Sequence, residues 1–590
     1  MSIDIETYRL KAQEAIEYVF VKEYHNSLGI PMPIVKMLLP DDANYSTGQY
    51  YITIDKTWQI HLNFGKLPIS YHEFQNEVKV LTRHEIEHYM CCPFDVITHF
   101  RMLKRIRDVY YKHFSHLGIN IEYACGAISN QAADIIVDTK NYYRHSKETL
   151  KSEIDWIKIG ANISACPRHC KLMFLTKEAI WKEDLGINET DPEFLKIVHQ
   201  LADSFTKNGI EDKSSFLDKV EEYAEIFFKL YVEDQKNPQQ SSQQGSQQQS
   251  GQQGPQQQSG QQGSQQQSGQ QGPQQQNGQQ GSQQQSGQWG VGRPKDGDEH
   301  GNAFVFADPD KVKEAIEVLA EETSVEEFID LLAIAGIIGM SDKQKGVLWF
   351  NVQSANIIPI VEFSNTGNKS SYTYPSVWRI GDPIEELDLM LTYMTSPRLI
   401  PGMTTKKWGY VSNDDNGTES KQMDLLLVVD TSGSMGSAMK ESANMHQAVL
   451  ASYGILSYFE STKSKVAFIG FSDKIDAYVD WSDKYDDVRE RLLTNGHGGT
   501  KFPISRIKST LDVRSRDLVT VLITDGDLGN INESVSYFRD YLNDDNKLYI
   551  FLLGGSKSLH SYEPLKNIGA KIYNANNANE FCDMVLTDME

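Results

Sequence analysis

Between Pro238 and Gln288 the chain is built almost entirely of Gln, Ser, Gly and Pro, and this stretch limits what the rest can be. Within it a nine-residue unit recurs: SGQQGPQQQ at 250–258, then close copies from Ser259, Ser268 and Asn277. Such a segment has no apolar side chains to bury, so nothing offsets the entropy of ordering it, and a disordered linker is expected. A solenoid is excluded, because solenoid repeats are longer and carry core residues. Regular Gly and occasional Pro also work against the stacked strands that Gln-rich tracts form. As a coil of about fifty residues it spans about 35–45 Å. A length of 590 residues exceeds what one core holds. The expected organisation is an N-terminal domain at 1–237, the linker at 238–288, a mixed helical connector at 289–420 and a C-terminal domain at 421–590.

The net charge of −23 argues against non-specific binding to nucleic acid or anionic membrane, since both partners are negative. The locally basic KRIRDVYYKH (104–113) reads as a solvated helix face. The opening MSIDIETYRLKAQEAIEYVF carries acids early and has no continuous apolar stretch. It reads as an amphipathic helix, not a signal peptide. The longest apolar run, FIDLLAIAGIIGM (328–340), is too short to span a bilayer and is expected as a buried helix. Six cysteines without a secretion signal suit free thiols in a reducing cytosol, so a cytoplasmic protein is expected.

Residues 83–93 read RHEIEHYMCCP. They close a predicted helix, YHEFQNEVKVLTRHEIEHYM, that follows two short predicted strands, GQYYITID and WQIHLNF. On a helix, positions i and i+4 share a face, so His84 and His88 can direct both imidazoles at one ion. Glu85 lies one step round, placed to take a proton from water activated there. A catalytic zinc needs a third protein ligand and an open position. The second predicted helix, CGAISNQAADIIVDTKNYY, sets Asp134 and Asp138 four apart. The first can ligate, and the second can accept the remaining ring N–H of a ligand histidine. Tyr142, Tyr143 and His145, just beyond, are alternative oxyanion donors, and the strand WQIHLNF is a candidate to pair with an extended substrate. Cys91, Cys92, Cys166, His169 and Cys170 read either as a thiolate-rich structural zinc site or as idle buried thiols. His99, His113 and His116 read as surface or capping residues.

HEIEH followed by an Asp-x-x-x-Asp helix resembles the gluzincin branch of the zincin metallopeptidases, over about residues 40–150. The resemblance implies an α+β zincin-like domain, mostly helical. It implies His84, His88 and Asp134 as Zn²⁺ ligands, Glu85 as general base and Asp138 as the orienting partner. Two features depart from the pattern. The third ligand is Asp where gluzincins usually have Glu, and Glu87 is charged where the zincin helix usually has an uncharged residue. Glu87 is expected either to face solvent or to repel a substrate carboxylate.

After Met423 the rhythm changes. The apolar runs LLLVVD, KVAFIGFS, LVTVLITD and KLYIFLLG alternate with helical segments, which signals a parallel, doubly wound α/β sheet. Asp430, Ser432 and Ser434, in DTSGS, follow the first of these strands. Asp525, in LITDGD, follows another, and Thr500 lies in the Gly-rich loop NGHGGTKF. Hydroxyls and carboxylates make a hard-oxygen set suited to Mg²⁺ or Mn²⁺. DxSxS, a loop Thr and a strand-end Asp in that order resemble the von Willebrand factor A domain, over about 420–590. The resemblance implies a Rossmann-like fold and a metal-ion-dependent adhesion site. In it Ser432, Ser434 and Thr500 bind Mg²⁺ directly, Asp430 and Asp525 bind mainly through water, and one position stays open for an acidic side chain of a protein partner.

The order of the two parts resembles bacterial metallopeptidases carrying a von Willebrand-like domain, a group often associated with MoxR-type AAA+ ATPases. The chain has no GxxxxGK[ST] string, so it is not itself expected to hydrolyse ATP. Two functions follow. One is a zinc endopeptidase whose A domain recruits a protein partner such as that ATPase. The other is a non-proteolytic adaptor or co-chaperone of the ATPase with a structural zinc.

Overall fold

The computed structural model describes residues 5–42, 45, 50–54, 58–64, 70–159, 163–236, 309–337, 340–357, 376–377, 387–388, 406–407, 423–514, 517–526, 528–553 and 559–575. The linker at 238–288 and most of the connector at 289–420 lie outside these residues. Two compact units result, Met1–Leu319 with Asp330–Ile338, and Ala320–Ile329 with Gly339–Glu590.

The first unit is mainly helical around one small sheet. Helix α1 (Ile5–Glu17) is the amphipathic N-terminal helix expected from the sequence. Strands β1 (Ile34–Met37), β2 (Tyr50–Ile54) and β3 (Gln59–Phe64) form the sheet. The predicted pair is β2 and β3, and β1 is an addition. β3 is the middle strand, parallel to β1 and antiparallel to β2. Both of its hydrogen-bonding edges are therefore used, and the expectation that it receives a substrate strand is overturned. Ala12, Ile16, Trp58, Ile60, Leu62, Phe74 and Val78 form one buried cluster that joins α1, the sheet and α2 (Tyr71–Met90).

Helix α2 starts where the sequence offers S-x-x-E. The Ser70 hydroxyl accepts from the Glu73 N–H at 3.4 Å and donates to the Glu73 carboxylate at 2.9 Å, which satisfies an otherwise orphaned helix N–H. It ends at Cys91, short of Pro93. Helix α3 (Val96–Val109) is capped by Asp95. Its KRIRDVYYKH segment is not a purely solvated face: Ile106 and Arg107 are buried, while Lys104 and Arg105 pair with Asp108 and Glu221. His99, expected at the surface, is buried on the same helix. Helix α4 (Ile121–Ile159) bends at His145, whose φ of −136° and ψ of 48° are not helical. Helices α5 (Arg168–Trp181), α6 (Pro192–Thr206) and α7 (Phe216–Lys236) complete the bundle. Helix α4 packs against α2, α3, α5 and α7.

Helices α8 (Pro309–Glu322) and α9 (Val325–Ile334) follow. The apolar run expected as a buried helix is α9, with Phe328, Leu331 and Leu332 fully buried. The chain leaves it at Gly336, where φ is +72°. In the second unit, α10 (Asp342–Ile357) and the two-residue strands β4 (Ser376–Val377), β5 (Leu387–Asp388) and β6 (Lys406–Lys407) precede the main sheet. That sheet arises from β7 (Asp424–Asp430), α11 (Asn444–Ser461), β8 (Val466–Phe471), β9 (Ile475–Ser482), α12 (Tyr485–Leu492), α13 (Ile504–Leu511), β10 (Leu518–Thr524), α14 (Val535–Asn543), β11 (Lys547–Leu553), α15 (Leu559–Lys566) and β12 (Lys571–Ala575).

The order across the sheet is β12-β11-β10-β7-β8-β9. Five strands are parallel and the edge strand β9 is antiparallel to β8. The sheet is thus mixed, not purely parallel. β7, β8 and β10 are buried at every residue, as strands covered on both faces must be. β9 is mostly half-exposed, which is why its sequence lacks the apolar run that marks the others. The chain starts at β7, winds outward through β8 and β9, then returns to β10 and winds the other way. Connections leave β7 and β10 in opposite directions, and a crevice opens beyond their carboxyl ends.

Gly496 fixes one wall of that crevice. A Cβ on it would lie 2.4 Å from an Asp476 carboxylate oxygen and 2.5 Å from the Thr431 carbonyl oxygen. Backbone cannot yield to such contacts as a flexible side chain can. Gly496→Ala is expected to cost about 1–3 kcal/mol, read as a lower urea midpoint with an unchanged slope.

Candidate metal centres

The last two turns of α2 combine polarity with burial. Thr82, Arg83, His84, Glu85, Glu87 and His88 are all under 9% exposed. Buried polar groups require partners, and most of these have one. Thr82 donates to the Val78 carbonyl at 2.7 Å. Arg83 bonds Glu23 at 2.6 and 2.8 Å and also pairs with Glu148. Glu87 receives Lys140 at 2.8 Å, Arg144 at 2.9 Å and the Tyr24 hydroxyl at 3.0 Å. Neither expectation for Glu87 holds: it does not face solvent, and its charge is spent on two cations. Beside this carboxylate, and with burial as the larger cause, the Tyr24 phenol is held well above its ordinary pKa.

His88 Nδ1 lies 2.9 Å from the Cys92 carbonyl oxygen. A carbonyl only accepts, so Nδ1 carries the proton and Nε2 presents a lone pair when the ring is neutral. His84 Nδ1 lies 2.6 Å from Asp138 Oδ1, and Asp138 Oδ2 receives Lys177 Nζ at 2.6 Å. The Asp138 carboxyl is pushed up by burial, but Lys177 and His84 outweigh this and hold it well below the usual range. An ionised Asp138 directs the His84 proton to Nδ1, so when that ring is neutral its Nε2 also presents a lone pair. The two Nε2 atoms are 3.1 Å apart, and the rings stand nearly perpendicular at 86°.

Asp134 completes the group. Its Oδ1 lies 3.4 Å from His84 Nε2 and 3.2 Å from His88 Nε2, and it is buried with no hydrogen-bond donor among the described residues. Asn130 holds the other oxygen at 3.2 Å. A tetrahedral zinc with bonds of 2.0–2.1 Å has ligands about 3.3 Å apart, which is the edge of this triangle. Three acceptors facing one another in a buried place need a cation or protons between them, so the residues fit a zinc ion. Among the described residues they are also the only cluster of three or more His, Cys, Asp or Glu that could hold a metal. The proton alternative is visible in the same groups. Burial lowers the His84 pKa, but Asp138 and Asp134 outweigh it and lift it to about 10. Burial raises Asp134, and the two imidazoles hold it well below the usual carboxylate range.

Glu85 is buried next to His84. The suggested oxyanion donors are elsewhere. Tyr142 is eight residues beyond Asp134 on one helix, about 12 Å along its axis. It bonds Glu183 at 2.9 Å and stacks on Trp181. Tyr143 is exposed, and His145 sits at the bend with Glu23 3.9 Å away. Among the described residues the cysteines do not converge on a second site. Cys91, Cys92 and Cys170 are buried free thiols, and burial pushes Cys91 to about 11 and Cys170 to about 12. His169 turns to Asp234 at 2.8 Å. The idle-thiol reading is the one that fits.

In the second unit the strand-end residues do meet. Asp430, at the end of β7, accepts from the Ser432 N–H at 2.8 Å and from the Thr524 hydroxyl at 2.6 Å. The Ser432 and Ser434 hydroxyls lie 3.1 Å apart, and Ser434 donates to Asp525 at 2.9 Å. Thr500 lies on the adjoining loop, half-buried. That loop is held at both ends: the Gly433 N–H donates to the Gly498 carbonyl at 3.3 Å, and the Lys501 N–H to the Ser472 carbonyl at 2.8 Å. Burial raises the Asp430 carboxyl above its ordinary value. Four of the five predicted residues thus form one hydrogen-bonded set of hard oxygen donors, a fit to Mg²⁺ or Mn²⁺.

Sequence reasoning missed the supports of both groups. Asn444 donates to Asp525 at 3.0 Å, and the Thr431 hydroxyl bonds Asp476 at 2.7 Å. Thr524 directly precedes Asp525 and was open to inference. Lys177 sits in the apolar run LMFLTKEAIW, and a lone lysine among such residues is a signal of a buried ion pair.

No family model matches the chain, and no curated protein matches it. Similar solved structures include a conserved hypothetical protein BatB from Bacteroides thetaiotaomicron, 13% identical with a TM-score of 0.25, covering 28% of this chain and 98% of that one. Another is an uncharacterized membrane spanning protein from Vibrio fischeri, 19% identical with a TM-score of 0.13, covering 28% and 96%. Similarity at these scores carries no argument about either site. Among the described residues no helix is long and apolar enough to cross a membrane.

A His84 pKa of about 10 means that the metal-free protein keeps that ring protonated at pH 7–8. Zinc must displace the proton, so affinity rises with pH up to about 10 and levels off above it. Titration calorimetry of the metal-free protein at pH 7.5, in buffers of different ionisation enthalpy, is expected to show about one proton released per zinc at this site.

Proposed function

We propose that the chain is a zinc-dependent metalloendopeptidase of the gluzincin type, with a von Willebrand factor A-like domain that binds a protein partner through Mg²⁺. The observation that carries the proposal is the triangle of His84 Nε2, His88 Nε2 and Asp134 Oδ1, with sides of 3.1, 3.2 and 3.4 Å. These three residues would hold the ion, whose chemistry there is Lewis-acid polarisation of a carbonyl and activation of water near neutral pH. Asp138 and the Cys92 carbonyl fix both rings with Nε2 inward. Glu85 adjoins the first ligand and takes the part of general base, accepting a proton and returning it to the leaving amine.

In the second unit, Ser432, Ser434 and Thr500 would hold Mg²⁺ by their hydroxyls, with Asp430 and Asp525 in support. An acidic side chain of the partner would complete the set. A MoxR-type AAA+ ATPase is the partner class proposed, and a cytoplasmic location goes with it. The position of this group at the switch point of the sheet, where such folds bind ligands, supports the assignment.

The burial of the zinc ligands favours a second reading. His84 and His88 are 4% and 3% exposed and Glu85 is 7%, which suits a structural zinc in a non-proteolytic adaptor. Glu85→Gln separates the two. In the peptidase the variant retains one zinc per chain by metal analysis and loses cleavage of unfolded casein by at least 100-fold; unchanged cleavage, or none in the wild type with any partner present, leaves the adaptor. Asp430→Ala is expected to abolish Mg²⁺-dependent partner capture at constant zinc content.

A further inference from the structure

Behind the proposed zinc ligands lies a residue that neither motif contains. Lys177 projects from α5 with its side chain 2% exposed. Its Nζ donates to Asp138 Oδ2 at 2.6 Å and to a Glu153 carboxylate oxygen at 2.9 Å. Asp138 in turn faces His84 Nδ1 at 2.6 Å through its other oxygen. Glu153, Lys177, Asp138 and His84 therefore make one continuous chain of alternating charge that ends on a proposed ligand. Asp138 and Glu153 lie on opposite sides of the bend at His145, so one ammonium ties both arms of α4 to α5.

We infer that Lys177 is the positioning residue of the zinc centre, acting through Asp138. A carboxylate bonded at one oxygen only turns about its terminal torsion, which is broad and soft. With Lys177 on Oδ2, the plane of Asp138 is set and Oδ1 is held on the ring N–H. That contact fixes the direction of the His84 lone pair. A fully buried lysine is costly to desolvate unless it is paired, and a methionine of similar length would fill the same space. What lysine adds over an apolar residue is two directed, charge-assisted hydrogen bonds.

The inference rests on the zinc reading of His84, His88 and Asp134, and the test separates the two. Full-length protein carrying Asp430→Ala, to silence the second site, is stripped of metal and titrated with Co²⁺, followed by its visible absorption. Lys177→Met is expected to weaken Co²⁺ binding about tenfold, in the range found for outer-shell partners of metal ligands, and to change the absorption band. Asp138→Asn is expected to weaken it as well, and Lys177→Met added to Asp138→Asn is expected to bring no further loss. A purely structural lysine would lower the melting temperature and leave affinity and spectrum alone. Affinity within twofold of the parent with an unchanged band overturns the inference, as does full additivity in the double variant. Should Lys177→Met not fold, Glu153→Gln removes only the far anchor; a native circular dichroism spectrum with weakened Co²⁺ binding supports the inference, and unchanged binding overturns it. If the parent itself binds no Co²⁺ at His84 and His88, the zinc reading fails and takes this inference with it.

Discussion

Three hydrogen-bond acceptors cannot be packed against one another in a protein interior without something positive between them. The contact of α2 with α4 is organised around such a place. His88 meets Asp134, His84 meets Asp138, and Arg83 meets Glu148, so the two helices run in opposite senses along a ladder of charged pairs. The Glu87 pairs with Lys140 and Arg144 lie on the same ladder. Buried ion pairs add little net stability, since desolvation offsets most of their attraction. They do penalise every misalignment, because a shifted helix strands a charge. The ladder is thus better understood as a jig for the central triangle than as a source of stability.

The second unit achieves a comparable convergence by other means. Its donors come from loops at the ends of β7 and β10 and not from facing helices. The backbone does the positioning: Gly433 and Lys501 pin the Gly-rich loop, and the absence of a side chain at Gly496 lets it lie against Thr431. The donor atoms are hydroxyl and carboxylate oxygens, several already bonded to one another. Such a set suits a hard cation and can exchange one internal bond for a ligand, whereas the imidazoles of the first unit are fixed from behind.

Much of this was legible in the sequence, and the limits have physical causes. The i, i+4 spacing of His84 with His88 and of Asp134 with Asp138 carries over to structure because helix geometry is local. The four strands read from continuous apolar runs, β7, β8, β10 and β11, are the buried ones. β9 and β12 were illegible because an edge strand need not be apolar throughout, and β1 because a four-residue strand leaves no period to read. Partners contributed from a distance were invisible for the same reason that they matter. Nothing near Lys177 announces Asp138, nothing near Glu87 announces Arg144, and β3 gives no sign that its second edge is taken by β1. His99 shows the reverse: a histidine without ligand spacing reads as a surface residue, yet its helix position buries it.

The short carboxylate of Asp134 and the buried charge of Glu87 act on the same pair of helices. An aspartate reaches less far than a glutamate by one methylene, about 1.5 Å of chain, so a helix carrying Asp134 must lie closer to the imidazoles than one carrying Glu. Glu87 supplies a charged tie between the two helices. It draws Lys140 and Arg144, about two and three turns beyond Asp134, onto α2 at 2.8 and 2.9 Å. The charged residue inside the HEIEH string is thus buried and paired. The same helix pairing brings the Asp134 carboxylate to 3.2 Å from His88 Nε2.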